Sequence, residues 1–209
     1  MNVSDEIASA LLEIKAVKIN PNEPFTWASG WKSPIYCDNR KTLSYPEVRK
    51  AIYTGFAEII KIEYPETETI AGVATGAVAH GALVAEALNL PFVYVRSAPK
   101  GHGLKNLVEG ELKNKAKVVI IEDLISTGGS SIAAVEALRE AGAETLALLA
   151  IFSYGFDAAA ANFNKANCKF RTLTDYHALL NEALKRNYIK DSQLNMLKKW
   201  REAPDKFGV

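Results

Sequence analysis

From Tyr45 onward, the chain alternates between two patterns of apolar residues. In one pattern apolar side chains recur three and four positions apart, as at Val48, Ile52 and Phe56, which predicts helices with one buried face. In the other, short runs are apolar throughout, which is typical of strands buried on both faces. The alternation predicts an α/β fold with a parallel β-sheet core flanked by helices. The predicted strands are 69–74, 92–95, 117–121, 145–152 and 170–173, and the predicted helices are one opening at Pro46, then 77–88, 132–141, 157–165, 175–186 and 191–202.

The segment before Tyr45 follows a different pattern. Residues 4–16 predict an amphipathic helix, with Ser4 as its N-cap and two acids in the first turn. Residues 21–42 contain several aromatic residues and prolines without a helical period, which predicts short irregular strands over one face of the core. Residues 97–115 are rich in Gly and Lys and poor in apolar residues. We expect a mobile loop there.

Length and composition limit the classes of protein to which the chain can belong. The 209 residues suit one domain, with a small N-terminal hood over about 1–44 and the sheet core and closing helices over about 45–209. The net charge of +1 gives no whole-chain field that favours nucleic acid or membranes. The longest apolar run, 146–152, is far too short to cross a bilayer, and no targeting segment is visible. Cys37 and Cys168 are too few for a disulfide framework and not spaced as a metal site, so we expect a cytoplasmic protein.

Residues 118–131, VVIIEDLISTGGSS, carry the strongest chemical signal. A buried strand runs into the acids Glu122 and Asp123, and a loop of glycines and hydroxyl residues leads to a helix from Ile132. Glycines allow a tight turn, and the unpaired N–H groups at a helix N-terminus bind anions. No lysine follows the last glycine as in a triphosphate-binding loop, and the acids suit hydroxyls or a metal-bound sugar. The segment therefore predicts a sugar-phosphate site, with an ordinary strand–turn–helix connection as the alternative.

This segment closely resembles the ribose-phosphate signature of the type I phosphoribosyltransferases. The shared features are an acidic pair, two apolar residues and Ser-Thr-Gly-Gly-Ser, here over Glu122–Ser130. The resemblance implies the family fold and binding of 5-phosphoribosyl-1-pyrophosphate (PRPP), but it does not identify the acceptor base.

A second segment is strongly basic. Arg96, Lys100, His102 and Lys105 fall within ten residues of chain that has little apolar content. Cations on a lid that closes over PRPP would stabilise the charge that develops on the departing pyrophosphate. A solvated basic loop without a role is the alternative.

Together the two segments resemble the orotate phosphoribosyltransferases, in which an Arg, a Lys four residues later and His-Gly belong to the catalytic lid. Residues 25–40, FTWASGWKSPIYCDNR, resemble the family's Ser-Gly-x-Lys-Ser-Pro hood segment, which helps to enclose orotate. AGVATGA at 71–77 matches the small-residue loop under the pyrophosphate, and KFGV at 206–209 is similar to the family's ending. The resemblance covers most of the chain.

The resemblance implies a reaction and a set of site residues. Orotate would displace pyrophosphate from PRPP to give orotidine 5-phosphate in the synthesis of UMP, in a homodimer with shared active sites. Mg²⁺ would be held by substrate oxygens and waters rather than by a set of protein ligands. The implied catalytic residues are Arg96, Lys100 and His102; the PRPP-binding residues are these three with Glu122, Asp123, Leu124, Ile125, Ser126, Thr127, Gly128, Gly129 and Ser130; and the orotate-binding residues are Lys32, Tyr36, Cys37 and Ser126.

Three lysines that other members carry are absent from this chain. Ser97 follows the lid arginine, Ala28 precedes the hood Ser-Gly, and Thr75-Gly76 follows the first core strand. Each replacement removes positive charge beside an anionic substrate pair. The candidates to compensate are Lys32, Lys100 and Lys105.

Other residues have simpler interpretations. His80 falls in a predicted helix of small residues, which favours a packed or capping side chain. Cys37 has no evident base partner, so we do not expect a nucleophile. Trp27 and Trp31 either cover orotate or pack the hood on the core.

Two other functions stay open. The first is a phosphoribosyltransferase for a purine or uracil, although the hood lysine and the basic lid favour an anionic pyrimidine. The second is a PRPP-binding regulator that has lost catalysis and binds nucleic acid; neither the net charge nor the length favours it.

Overall fold

The computed structural model describes residues 2–27, 29–98 and 107–207. Its N-terminal part, as predicted, consists of one helix and short strands. These strands form two antiparallel pairs, and a 3-10 helix at Asn39–Ser44 follows them. The elements are α1 (Val3–Glu13), β1 (Val17–Ile19), β2 (Phe25–Thr26), β3 (Lys32–Ser33) and β4 (Ile35–Cys37), with β1 paired to β4 and β2 to β3.

Helix α1 corrects the predicted bounds at both ends. Its N-cap is Asn2, whose Oδ1 accepts the Asp5 N–H at 2.8 Å, whereas the Ser4 hydroxyl donates to Thr174 at 3.2 Å. The helix ends at Glu13 because Lys15 has a φ of +55°, which turns the chain into β1.

From Pro46 the chain alternates helices and strands as predicted. All predicted bounds but one lie within three residues of the observed ones; the exception is the strand that begins at Lys117, which ends at Ile125 rather than at residue 121. The helices are α2 (Pro46–Glu63), α3 (Val78–Leu88), α4 (Gly129–Glu140), α5 (Asp157–Lys165), α6 (Tyr176–Lys185) and α7 (Asp191–Glu202), and the strands are β5 (Thr69–Val73), β6 (Phe92–Val95), β7 (Val108–Glu109), β8 (Lys117–Ile125), β9 (Glu144–Ser153) and β10 (Phe170–Asp175).

The described strands of the core form one six-stranded sheet in the order β10-β9-β8-β5-β6-β7. Neighbours are parallel except β7, which runs antiparallel to β6 at the sheet edge. The predicted parallel core is confirmed, with β7 as an antiparallel edge strand. One expectation is corrected, because residues 108–109 of the predicted mobile loop form this strand. Residues 99–106 of that loop lie outside the described part of the chain.

Two apolar clusters cover the two faces of the sheet. Val119 and Ile121 of β8 point into the cluster that contains α1, α2, α3 and α6. Val118 and Ile120 point into the other, with α4 and α5. Alternation along the strand therefore sends successive β8 side chains to opposite faces. None of the described helices combines the length and the hydropathy needed to cross a membrane.

Candidate active site

The phosphate loop predicted from the sequence is a strand–turn–helix connection at the carboxyl end of the sheet. Residues 126–128 join β8 to α4, and Gly128 has a φ of +82°. The first N–H groups of α4 have no partner within the helix, and no side chain in the described part of the chain caps them. Asn162 Nδ2 holds the other side of the loop by donating to the Thr127 carbonyl at 3.0 Å. These amides at the start of α4 can therefore bind an anion.

The two acids lie within β8, not after it as expected. The strand continues to Ile125 because β9 keeps pairing with it, Glu122 lying opposite Ala150 and Ile125 opposite Ser153. Strand alternation therefore separates the acidic pair, with Glu122 on the α4 face and Asp123 on the opposite face.

Glu122 is buried at 4% exposure beneath the start of α4. Its Oε2 accepts the Ser131 hydroxyl at 2.9 Å, and its Oε1 accepts the Asp123 N–H at 2.9 Å. Burial raises the pKa of Glu122 from 4.5 to about 8, and the neighbouring Asp123 charge acts in the same direction. The side chain thus orders the helix start from inside the protein, while its implied contact with ribose stays a prediction.

Replacing Glu122 by Gln should change the pH dependence of stability. A carboxyl whose pKa is raised by folding stabilises the protein below its ordinary pKa of 4.5, and that contribution is lost as the pH rises through about 8. At about pH 9 the Tm of Glu122→Gln should exceed that of the wild type by roughly 4–8 °C, which is on the order of 2 kcal/mol. Calorimetric scans at about pH 6 and pH 9 measure this. Glu136→Gln, on the exposed side of α4, is the control; parallel pH profiles for all three proteins would contradict the expectation.

Asp123 is half-buried and faces the loop after β5. Its carboxylate lies directly against Gly76, where an added Cβ would overlap the carboxylate atoms. Asn39 Nδ2 donates to the Asp123 carbonyl at 2.5 Å. Gly76 and Asn39 thus hold this acid from two sides.

A cavity of about 320 Å³ lies beside the phosphate loop under the hood. Trp27 forms one wall and donates its indole N–H to the Ile35 carbonyl at 3.1 Å, and its ring centroid lies 4.9 Å from that of Tyr154. The cavity is lined by Thr26, Trp27, Tyr36, Cys37, Leu124, Ser126 and Tyr154.

The cavity includes two residues that the sequence interpretation missed. Tyr154 directly follows β9, so its place at the carboxyl edge of the sheet was the available signal. Thr26 lies within the hood segment but was not singled out. Leu124, assigned to PRPP, lines this cavity. Trp31 is absent from the lining and packs on Trp27 with ring centroids 6.4 Å apart.

Of the implied orotate-binding residues, Tyr36, Cys37 and Ser126 line the cavity and Lys32 does not. The Lys32 ammonium donates to Thr26 Oγ1 at 2.7 Å, so it lies one side chain away from the lining. Burial, and then the charges of Asp123 and Asp38, raise the pKa of Cys37 well above its usual range. A protonated thiol is a weaker nucleophile than a thiolate.

Arg96 directly follows β6 at the same edge of the sheet. Its Nη1 lies 3.4 Å from Oε1 of Glu109 on the antiparallel β7. Lys100, His102 and Lys105 fall outside the described residues, as does Ala28. His80 is buried against Thr42, as the packed interpretation expected.

Comparison with known proteins agrees with this geometry. Residues 43–182 match the family described as phosphoribosyl transferase domain. The orotate phosphoribosyltransferase of Porphyromonas gingivalis is 58% identical over 203 residues, which cover 97% of each chain. That of Listeria innocua is 52% identical over 208 residues, which cover 100% of each chain.

Solved structures show the same fold. The orotate phosphoribosyltransferase from Aeropyrum pernix matches with a TM-score of 0.76 at 26% identity, over 88% of this chain and 99% of that one. Leishmania donovani UMP synthase matches with a TM-score of 0.78 at 31% identity, over 94% of this chain and 42% of that one. Since relatives that are more than half identical span nearly the whole length, the chain belongs to the orotate phosphoribosyltransferases, enzymes of the phosphoribosyl transferase domain family.

Proposed function

We propose that this chain transfers the 5-phosphoribosyl group of PRPP to a ring nitrogen of orotate, giving orotidine 5-phosphate and pyrophosphate. The observation that carries the proposal is the position of Ser126, which opens the loop before α4 and also lines the 320 Å³ cavity. A 5-phosphate at the helix N-terminus and a planar base in the cavity would flank a single ribose. The product would enter the synthesis of UMP.

On the PRPP side, the 5-phosphate binds the loop from Ser126 to Ser130. The main-chain N–H groups at the start of α4 and the hydroxyls of Thr127 and Ser130 are the donors. The half-buried Asp123 carboxylate accepts the ribose hydroxyls, with Glu122 supporting the same strand end from beneath. Leu124 and Ile125 contribute the strand backbone.

On the base side, the cavity suits one flat ring between Trp27, Tyr36 and Tyr154. Its lining residues are apolar or carry a hydroxyl or thiol, so the orotate carboxylate needs a cation from nearby. Lys32 supplies it, because its exposed ammonium already reaches Thr26 on the cavity wall. Neither uracil nor a purine base carries a carboxylate for that cation.

Bond breaking places charge on the pyrophosphate and leaves an oxocarbenium-like ribose. Arg96, with Lys100 and His102 from the lid, stabilises the leaving oxygens. Arg96 pairs with Glu109 at 3.4 Å, and the more highly charged pyrophosphate would compete for its guanidinium. Orotate held in the cavity attacks the anomeric carbon from the side opposite the pyrophosphate. The reaction then depends on the positioning of the two substrates and needs no covalent enzyme intermediate.

Mg²⁺ is the proposed cofactor. Among the described residues no group of three or more His, Cys, Asp or Glu side chains could hold a metal ion. The Asp123 carboxylate can offer an oxygen ligand, and Mg²⁺ commonly keeps waters and substrate phosphate oxygens as its other ligands. These residues fit an ion that arrives with PRPP. When bound, it would neutralise charge on the pyrophosphate.

We also propose a homodimer in which the lid of one subunit reaches the active site of the other. The support is the family resemblance of the lid sequence. The cytoplasm is the proposed location, because the two cysteines, Cys37 and Cys168, are buried free thiols.

An orotate assay with PRPP and Mg²⁺ tests the function directly. The wild type should consume orotate, and Lys32→Gln should raise the KM for orotate about tenfold while the KM for PRPP stays unchanged, because one charged contact is lost. Lys61→Gln is the matched control, since Lys61 is exposed in the last turn of α2, before β5 begins at the edge of the sheet away from the site.

A panel of bases separates the alternatives. Turnover of adenine, hypoxanthine or uracil without turnover of orotate would reject the proposed acceptor. A protein inactive on every base that binds nucleic acid tightly, and more weakly as salt rises, would instead be the regulator. An equal effect of Lys32→Gln and Lys61→Gln would remove Lys32 from the site.

A further inference from the structure

A chain of buried hydrogen bonds connects the hood to the core behind the proposed site. The Thr42 hydroxyl donates to the Asn39 carbonyl at 2.6 Å and lies 3.0 Å from Nε2 of His80. Asn39 Nδ2 donates to the Asp123 carbonyl at 2.5 Å, and Cys37 Sγ lies 3.2 Å from Asn39 Oδ1. We call this set the Asn39 network. It joins β4, the 3-10 helix, α3 and β8.

The direction of each bond in the Asn39 network follows from its partners. A carbonyl oxygen cannot donate, so Asn39 must present its NH₂ to Asp123 and its Oδ1 to the Cys37 thiol. Thr42 has a single proton, which is used on the Asn39 carbonyl, so its oxygen accepts from His80. His80 must therefore carry a proton on Nε2.

The histidine environment agrees with this assignment. His80 is 0% exposed, and Nδ1 has no hydrogen-bond partner among the described residues. Burial, and then the Arg49 charge, lowers the pKa of His80 to about 4, so the ring is neutral near pH 7. A neutral ring has a single N–H, and the geometry places it on Nε2.

We propose that Asn39 is a positioning residue of the transferase reaction, which holds the Cys37 wall of the base cavity and the main chain of Asp123 in one arrangement, with Thr42 and His80 keeping Asn39 in place. The inference rests on the proposed roles of the cavity and of Asp123. It adds a reason why the base and the ribose would be held in the correct relative position for reaction.

The physical basis is that both contacts depend on one amide. Asn39 and Thr42 are at most 1% exposed, so no water can replace a lost partner. Buried networks whose members are satisfied hold a single geometry, and those left incomplete are costly. A displacement of about 1 Å between reacting groups can cost on the order of a hundredfold in rate. Loosening Asn39 should therefore affect both substrates.

Asn39→Asp and Thr42→Val test the inference by steady-state kinetics. The aspartate has no donor for the Asp123 carbonyl, and the valine has no hydroxyl for Asn39 or His80. Each variant should lose about tenfold or more in kcat/KM, with higher KM values for both orotate and PRPP.

Thr67→Val is the matched control. Thr67 is also buried, and its hydroxyl donates to a carbonyl three residues earlier at 2.6 Å, the same bond that Thr42 makes. It lies just before β5, at the edge of the sheet away from the site. Thr67→Val should lower Tm but leave the kinetics unchanged.

If Thr42→Val behaves in the same way while Asp123→Asn disables the enzyme, the inference is wrong and the proposed function stands. An Asp123→Asn enzyme with wild-type kinetics would mean that the proposed site itself is wrong.

His80 provides an independent readout. Glutamine can place an N–H where imidazole Nε2 lies, whereas phenylalanine keeps only the ring shape. His80→Gln should retain most of the wild-type kcat/KM, and His80→Phe should lose about tenfold. Nitrogen NMR of the ¹⁵N-histidine-labelled protein should show His80 neutral with its proton on Nε2 between about pH 6 and 8. A proton on Nδ1, or equal kinetics in both variants, would overturn the proposed network.

Discussion

Gly128→Ala is expected to raise the KM for PRPP by about 10–100-fold, because the substitution distorts the loop that would receive the 5-phosphate. Gly128 has a φ of +82°, where an L side chain is strained, and an added Cβ would lie 2.9 Å from Cε2 of the buried Phe163. The loop cannot easily move away, since Asn162 holds the Thr127 carbonyl. Kinetics at varied PRPP and titration calorimetry with PRPP measure the change.

Gly142→Ala is the matched control at the other end of the same helix. Gly142 follows α4 with a φ of +91°, and among the described residues its added Cβ would meet only the Asn114 side chain, at 2.7 Å. Both variants should lose on the order of 1–3 kcal/mol of stability from backbone strain. Only Gly128→Ala should lose affinity for PRPP. Equal PRPP affinity in the two variants would remove this loop from the phosphate site.

Gly76→Ala should lower kcat/KM by on the order of a hundredfold through displacement of Asp123. The methyl group would overlap the Asp123 carboxylate, and Asn39 holds the main chain of that residue, so the carboxylate has to rotate. The variant should therefore impair the enzyme in the same parameters as Asp123→Asn. Steady-state kinetics with each substrate varied, together with Tm, separate this effect from general unfolding.

A double-mutant cycle tests whether Gly76 acts through Asp123. If it does, Gly76→Ala should cost much less in an Asp123→Asn background than in the wild type, because the carboxylate contribution has already been removed. Strict additivity of the two losses in free energy would contradict the mechanism. Gly81→Ala provides the stability control, since its Cβ would press on Phe92, which packs against the core, at 2.7 Å.

The structure explains why this chain has Gly76 where other members carry a lysine, which the sequence alone does not. The sequence indicates that a lysine found in other members is missing after the first core strand. It offers no reason for the loss. In the folded chain the Asp123 carboxylate, which comes from a strand far along the sequence, occupies the space beside Gly76. A longer side chain at this position would compete directly with the acid.

The positions of Glu122 and Asp123 also depend on the tertiary structure. Their adjacency in the sequence suggests that both acids act on one sugar. Because β8 extends to Ile125, alternation turns Glu122 onto Ser131 under the helix and leaves Asp123 facing the loop after β5. The length of β8 depends on pairing with β9, a long-range contact that local propensity does not contain. The antiparallel β7 escaped prediction for a similar reason, since two residues are too short to produce a pattern.

The sequence by itself determined the alternation of helices and strands, the strand–turn–helix connection around residues 126–128 and the family. These features follow from local periodicity and from short contiguous motifs, which one stretch of chain carries alone. Only the tertiary structure decided that Tyr154 and Thr26 line the base cavity, that Gly76 abuts Asp123 and that His80 connects through Thr42 to Asn39. Each of these contacts joins segments that are distant along the chain, and the packing of the hood and helices against the sheet brings them together.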